Sequence, residues 1–154
     1  MFNNLIIYLD KNKIQHAVLE ENKVVTFSTR TENGNFQCIA DVDETINTFL
    51  FYTMLGIFIP ESKRLIVCEL LARINYGIII GNFEMDMDDG EIRYKTSIDY
   101  EGSELTDKNI DNIMSANLSM VDNYLFSILE SISSQLPAKE ILSKYENIDT
   151  EEVE

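Results

Sequence analysis

The sequence predicts an α+β domain, an antiparallel sheet packed with helices in the order α-ββββ-α-ββ-α. Three observations carry this: apolar residues at helical spacing before residue 12, four β-type segments between residues 15 and 54, and a later succession of helix, hairpin and long helix. The 154 residues, 45% of them hydrophobic, suit one core, expected as a single domain over residues 1–136 with an acidic, mobile tail over 137–154. A domain of this length buries roughly two-thirds of its unfolded surface, so packing alone can stabilise it.

The opening helix, residues 3–12, places Leu5, Ile6 and Leu9 on one side behind the candidate N-caps Asn3 and Asn4. Segments 15–20, 23–31, 35–42 and 45–54 are rich in Val, Ile, Phe, Thr and Tyr, with turns expected at Glu21-Asn22, Asn33-Gly34 and Asp43-Glu44. A two-residue loop at Asn33-Gly34 pairs Thr31 with Phe36, Thr29 with Cys38, Phe27 with Ala40 and Val25 with Val42, all on one face. Pro60 suits the first turn of a helix that ends at Asn75-Tyr76-Gly77. A hairpin around Asp89-Gly90 follows, and Thr106 then caps a helix over residues 107–134 whose apolar arc includes Ile110, Ile113, Val121, Leu125 and Ile128. Past Pro137, six acids face two lysines, and Ile141, Tyr145 and Ile148 hint at a short weak helix.

With 27 acidic and 12 basic residues the formal charge is −15, which repels phosphate backbones and anionic lipid and so argues against nucleic acid and membrane partners. Cationic protein segments are favoured electrostatically, although acidity also simply favours solubility. No apolar run approaches the roughly 18 residues of a membrane span. The start Met-Phe-Asn-Asn lacks a basic, then apolar, signal segment, and Cys38 and Cys68 lack metal-ligand spacing, so a reducing cytoplasm is expected.

Pro60, Arg73-Ile74-Asn75-Tyr76-Gly77, Gly81-Asn82-Phe83-Glu84, Asp89-Gly90-Glu91 and Asp122-Asn123-Tyr124-Leu125 stand in an order and spacing that resembles the YbjN-like family, often labelled bacterial sensory transduction regulators. The resemblance covers about residues 1–135. It implies the fold of type III secretion chaperones, which generally dimerise and hold a segment of another protein, and it implies no catalytic residues and no cofactor. The chain differs from those chaperones in its length and in an extra strand.

The acids Glu84, Asp86, Asp88 and Asp89 before Gly90 invite a calcium reading, but counting from Asp86 puts Gly90 fifth rather than sixth and Ser97 where a bidentate Glu belongs. A hairpin explains them better, with Met87 opposite Ile92, Met85 opposite Tyr94, Asp86 opposite Arg93 and Glu84 opposite Lys95. His16, the one histidine, falls opposite Phe27 and reads as structural rather than as a catalytic base. Cys38 reads as a small buried hydrophobe. Asn117 interrupts an apolar arc, so its amide needs a partner, either a main-chain carbonyl or the loop of Asn75.

Two surfaces remain. Ile39, Ile46, Leu50 and Tyr52 share the outward face of the meander, and such an apolar row is covered by a helix of the same chain or by another protein. On the Pro60 helix, Val67, Leu70, Leu71 and Ile74 form the broad apolar sector, while Leu65, Cys68 and Ala72 form a narrower opposite strip, expected to meet a second copy of the chain rather than the long helix. The expected function is therefore a non-enzymatic protein-binding module, chaperone-like or a regulatory adaptor, working as a homodimer. The alternatives are a metal-dependent enzyme using Glu84, Asp86 and Asp88, or a structural subunit of a larger assembly.

Overall fold

The computed structural model describes residues 1–19, 21 and 23–146. In chain order the elements are α1 (Phe2–Lys11), β1 (His16–Leu19), β2 (Val24–Arg30), β3 (Asn35–Asp43), β4 (Thr48–Phe58), a 3-10 turn (Glu61–Lys63) leading into α2 (Arg64–Gly77), β5 (Asn82–Met85), β6 (Glu91–Asp99), α3 (Asp107–Ser133) and α4 (Ala138–Glu146). The six strands form one antiparallel sheet in the order β1-β2-β3-β4-β6-β5. The chain is thus α+β with the expected succession of elements and one helix more.

Burial alternates along the strands, as a half-covered sheet requires. Phe36, Cys38, Ala40 and Val42 of β3, Phe49, Phe51, Thr53 and Leu55 of β4, and Ile92, Tyr94 and Thr96 of β6 are buried on one face. All four helices pack there: α1 through Leu5 and Leu9, α2 through Val67, Leu70, Leu71 and Ile74, α3 through Ile110, Val121 and Ile128, and α4 through Ala138 and Ile141. α3 starts as expected at Thr106, whose hydroxyl accepts from the Asn109 N–H at 3.2 Å while the Asn109 side chain accepts from the Thr106 N–H at 3.1 Å. Pro60 precedes the 3-10 turn rather than the α-helix itself.

The β1–β2 register is the one expected, with His16 opposite Phe27, whereas those of β2–β3 and β5–β6 differ from expectation by two residues. β2 and β3 pair Thr29 with Phe36, Phe27 with Cys38 and Val25 with Ala40. The turn centres on Glu32-Asn33, with the Thr31 N–H donating to the Gly34 carbonyl at 2.9 Å. Neither Asn33 nor Gly34 takes the left-handed backbone of an Asn-Gly turn. Asp122 of α3 fixes the turn instead, accepting from the Asn33 N–H at 2.9 Å and from the Thr31 hydroxyl. In the second hairpin Glu84 pairs with Arg93 and Met85 with Ile92, around a loop whose Gly90 has φ +85° and would place a Cβ 2.3 Å from the Ile59 carbonyl oxygen. Met87 consequently lies in the loop, and Asp86 faces no cross-strand cation. A shift of two preserves the faces, so the inward residues are those expected.

The β3–β4 turn spans residues 44–47, so Ile46 belongs to the turn and not to the strand. β4 runs on to Phe58 through an irregularity between Met54 and Phe58, where Gly56 has φ +69°. The segment expected as a mobile appendage from 137 onward forms the docked helix α4 over Ala138–Glu146, with Ala138 and Ile141 buried and Glu130 of α3 accepting from Lys144 and from the Tyr145 hydroxyl. The last part of the expected tail, 147–154 with Ile148, lies outside the described residues, as do Glu20 and Asn22, expected in the first strand and the first turn.

Candidate interaction surfaces

Among the described residues every helix lies on one side, and none of them covers the opposite face of the sheet. Register builds it row by row: Asp43, Thr48 and Asp99 across β3, β4 and β6; then Asp41, Leu50 and Ser97; then Ile39, Tyr52 and Lys95; then Gln37, Met54 and Arg93. Ile39, Leu50, Tyr52 and Met54 form an apolar strip there, each half-buried by its neighbours. Ile46 does not extend this strip; it stands 62% exposed in the turn at the end of the sheet that holds Asp43.

The two ends of this face differ electrostatically. At one end the Arg93 guanidinium lies 4.6 Å from the centroid of the Tyr52 ring and 2.8 Å from Glu84, which also takes Lys95. Burial alone would raise the Glu84 carboxyl, but hydrogen bonds from Lys95, Arg93 and Asn82 together hold it below the usual range. At the other end, Asp43 accepts from the Thr45 N–H at 2.8 Å and from its hydroxyl, and Asp99 accepts from the Glu101 N–H at 2.8 Å. Asp41 lies between Asp43 and the apolar strip, its carboxyl pushed up by burial and then by the charge of Asp43.

The outer side of α2 is a second uncovered surface. Leu65 is 80% exposed, Cys68 and Ala72 are exposed, and Tyr76, one turn beyond, is 95% exposed on the same stripe. α3 leaves this strip bare because α2 turns Val67, Leu70, Leu71 and Ile74 inward. Glu69 and Arg73 form an ion pair of 2.7 Å alongside, and with Ala72, Tyr76 and Leu142 of α4 they line a groove of about 490 Å³. Leu142 carries no mark of this surface in the sequence, because the spacing after Pro137 does not show where so short a helix docks. Asp41, Asp99 and Met54 lie on the same alternating face as Leu50 and Tyr52, so strand alternation reaches them as well; Asp41 and Asp99 lie outside a purely apolar row, and Met54 continues it.

The residues weighed for chemistry serve local structure. Asp86 accepts from the Asp88 N–H and Asp89 from the Glu91 N–H, each at 2.8 Å, so both carboxylates shape the β5–β6 loop. Among the described residues no three His, Cys, Asp or Glu side chains are grouped to hold a metal ion. His16 pairs with Phe27 as expected, with Nδ1 2.9 Å from the Ile14 carbonyl oxygen. Cys38 is fully buried beside Thr53, and burial pushes its thiol up to about 11. Asn117 finds main-chain carbonyls rather than the loop of Asn75; its amide nitrogen is 3.0 Å from the Phe51 oxygen and 3.0 Å from Thr96 Oγ1. Asn75 instead closes the outer edge of β5, accepting from the Phe83 N–H at 2.8 Å and donating to its carbonyl at 3.0 Å.

The architecture defines a class: an α+β domain in which one antiparallel sheet carries all its helices on a single face. Within it the chain belongs to the YbjN family, described as "Putative bacterial sensory transduction regulator", whose profile matches residues 3–130. A solved structure similar to it is described as "Crystal structure of YbjN, a putative transcription regulator from E. coli", with 16% identity, TM-score 0.59, and coverage of 89% of this chain and 96% of that one. A chain in the "Structure of the HopA1-SchA Chaperone-Effector Complex" is similar at 16% identity and TM-score 0.48, covering 86% of this chain and 92% of its own. At 16% identity the likeness to the YbjN structure is one of fold. No curated protein sequence matches the chain. Among the described residues no helix is long and apolar enough to cross a membrane.

Proposed function

We propose that the chain is a non-enzymatic protein-binding module, chaperone-like or adaptor-like, that holds a protein partner on the open face of its sheet and dimerises through the outer strip of α2. The observation that carries the reading is the one-sided packing: all four helices cover one face, and Ile39, Leu50, Tyr52 and Met54 form an apolar strip on the other. Two cysteines with free thiols suit a cytoplasmic setting.

The test is the double substitution Leu50→Lys with Tyr52→Glu, read by thermal melting, sedimentation and recovery of co-purifying protein. The expected outcome is a folded, still dimeric chain that has lost its partner. Unchanged stability, oligomeric state and partner recovery together would make that face ordinary solvent surface. Titration with calcium, magnesium or manganese is expected to leave the melting temperature in place, whereas a metal bound only by the native state at 100 times its dissociation constant adds about 2.7 kcal/mol.

A further inference from the structure

The open sheet face differs from the α2 strip in one respect that bears on what can occupy it: its apolar side chains are bordered by carboxylates that form no ion pair among the described residues. Asp43 and Asp99 share one row, and Asp41 sits beside Leu50 in the next. Arg93 and Lys95 of this face are engaged with Glu84, and Lys23, which acts on Asp43, with Glu44; Arg30 of β2 shares the face but stands opposite Asn35, at the end away from Asp43 and Asp99. Asp43 and Asp99 are met by local N–H and hydroxyl donors of their own turns.

We propose that the segment held on the open sheet face is a cationic amphipathic stretch of another protein, its apolar side chains on Leu50, Tyr52 and Ile39 and its Lys or Arg residues on Asp41, Asp43 and Asp99. This rests on the reading that the sheet face is the partner site, and it names the chemistry of that partner. A second copy of the chain fits poorly, since it would set these carboxylates against the acids of another molecule of charge −15. An anionic lipid surface or nucleic acid meets the same repulsion. A basic segment instead relieves the half-buried Asp41, whose charge is disfavoured by burial and by Asp43.

The probe is a fluorescein-labelled peptide about 18 residues long, with Leu and Lys at helical spacing, titrated with the full chain and followed by anisotropy. Asp41→Asn with Asp43→Asn is expected to weaken binding about tenfold. Glu61→Gln with Glu140→Gln, which removes the same charge from the helical side, should change it less than about twofold, as uniform attraction is largely screened at physiological salt. Equal weakening by both pairs, or none by either, overturns the proposal. Leu50→Ala with Tyr52→Ala separates the two levels: if the alanines weaken binding and the Asp41/Asp43 pair does not, the sheet face stands as a site and its cationic preference falls. If neither matters, both fall. Should the asparagine variant not fold, peptide-induced amide shifts in the unaltered chain decide, supporting the proposal at positions 39–43, 48–52 and 97–99 and overturning it if they cluster on α2.

Discussion

Asn117 sits fully buried near the middle of α3, and its amide reaches across the sheet. The nitrogen lies 3.0 Å from the Phe51 carbonyl of β4, 3.0 Å from Thr96 Oγ1 of β6 and 3.3 Å from the Tyr94 carbonyl, while its own Oδ1 has no hydrogen-bond partner. Two hydrogens among three acceptors, with one acceptor left bare, make a polar centre that fixes where α3 crosses β4 and β6 at some cost in stability. Asn117→Ala leaves buried acceptors and a small void, with an expected loss of about 1–3 kcal/mol in urea unfolding. Asn117→Asp should cost more at neutral pH, because a carboxylate offers no donor and meets carbonyl oxygens. A loss smaller than that of the alanine would mean that the amide donors contribute nothing. That Asn117 needed a partner was legible from its place in the apolar arc. Its partners were not, because main-chain carbonyls of other strands leave no mark on the sequence near it.

Element type was legible wherever periodicity ran long, as in α3 and in the alternation of β3 and β4, and for the same reason the inward residues were identified correctly. Of the turns, the register around Glu21-Asn22 was legible; those of the β2–β3 and β5–β6 hairpins were not. In the first hairpin the contact that decides the register comes from Asp122, about ninety positions away, and in the second Gly90 serves as the left-handed residue closing a longer loop. α4 is a similar case: Ile141 and Tyr145 show helical spacing, but the acceptor for Lys144 and Tyr145, Glu130 of α3, lies 14 and 15 positions away from them. The Glu130 carboxyl is held below the usual range by its hydrogen bond from Lys144 and then by the Tyr145 hydroxyl. An acid with a depressed folded value stabilises the docked state above the unfolded value of about 4.3, and the contribution disappears as pH falls through the folded value. Amide hydrogen exchange in α4 should therefore lose protection selectively below about pH 4. Glu130→Gln should be less protected at neutral pH and flatter across that range. Identical pH profiles for the two proteins would place the anchoring of α4 in Ala138 and Ile141 alone.

At the scale of the whole molecule, the proposed surfaces for self-association and for a partner lie on opposite sides and answer to different forces. The α2 strip of Leu65, Cys68, Ala72 and Tyr76 is apolar, and a two-fold axis along it would set each residue against its own copy or a neighbour, doubling the effect of one substitution. The bodies so joined each carry −15, so the proposed dimer would have to form against mutual repulsion. Raising salt from about 0.01 to about 0.1 M shortens the Debye length from about 30 to about 10 Å and should tighten the dimer, whereas binding of a cationic peptide on the sheet face should weaken over the same range. Ala72→Glu places a carboxylate on the strip and its copy in the symmetric mate. Because Ala72 is exposed in the single chain, the variant is expected to stay folded, losing little beyond the stability that dimerisation gives the parent by mass action, and to sediment as a monomer. A dimer of unchanged affinity would remove α2 from the interface. A dimer lost in Ala72→Glu but loosened by salt in the parent would show that ion pairs such as Glu69 and Arg73, rather than the apolar strip, hold the two copies together.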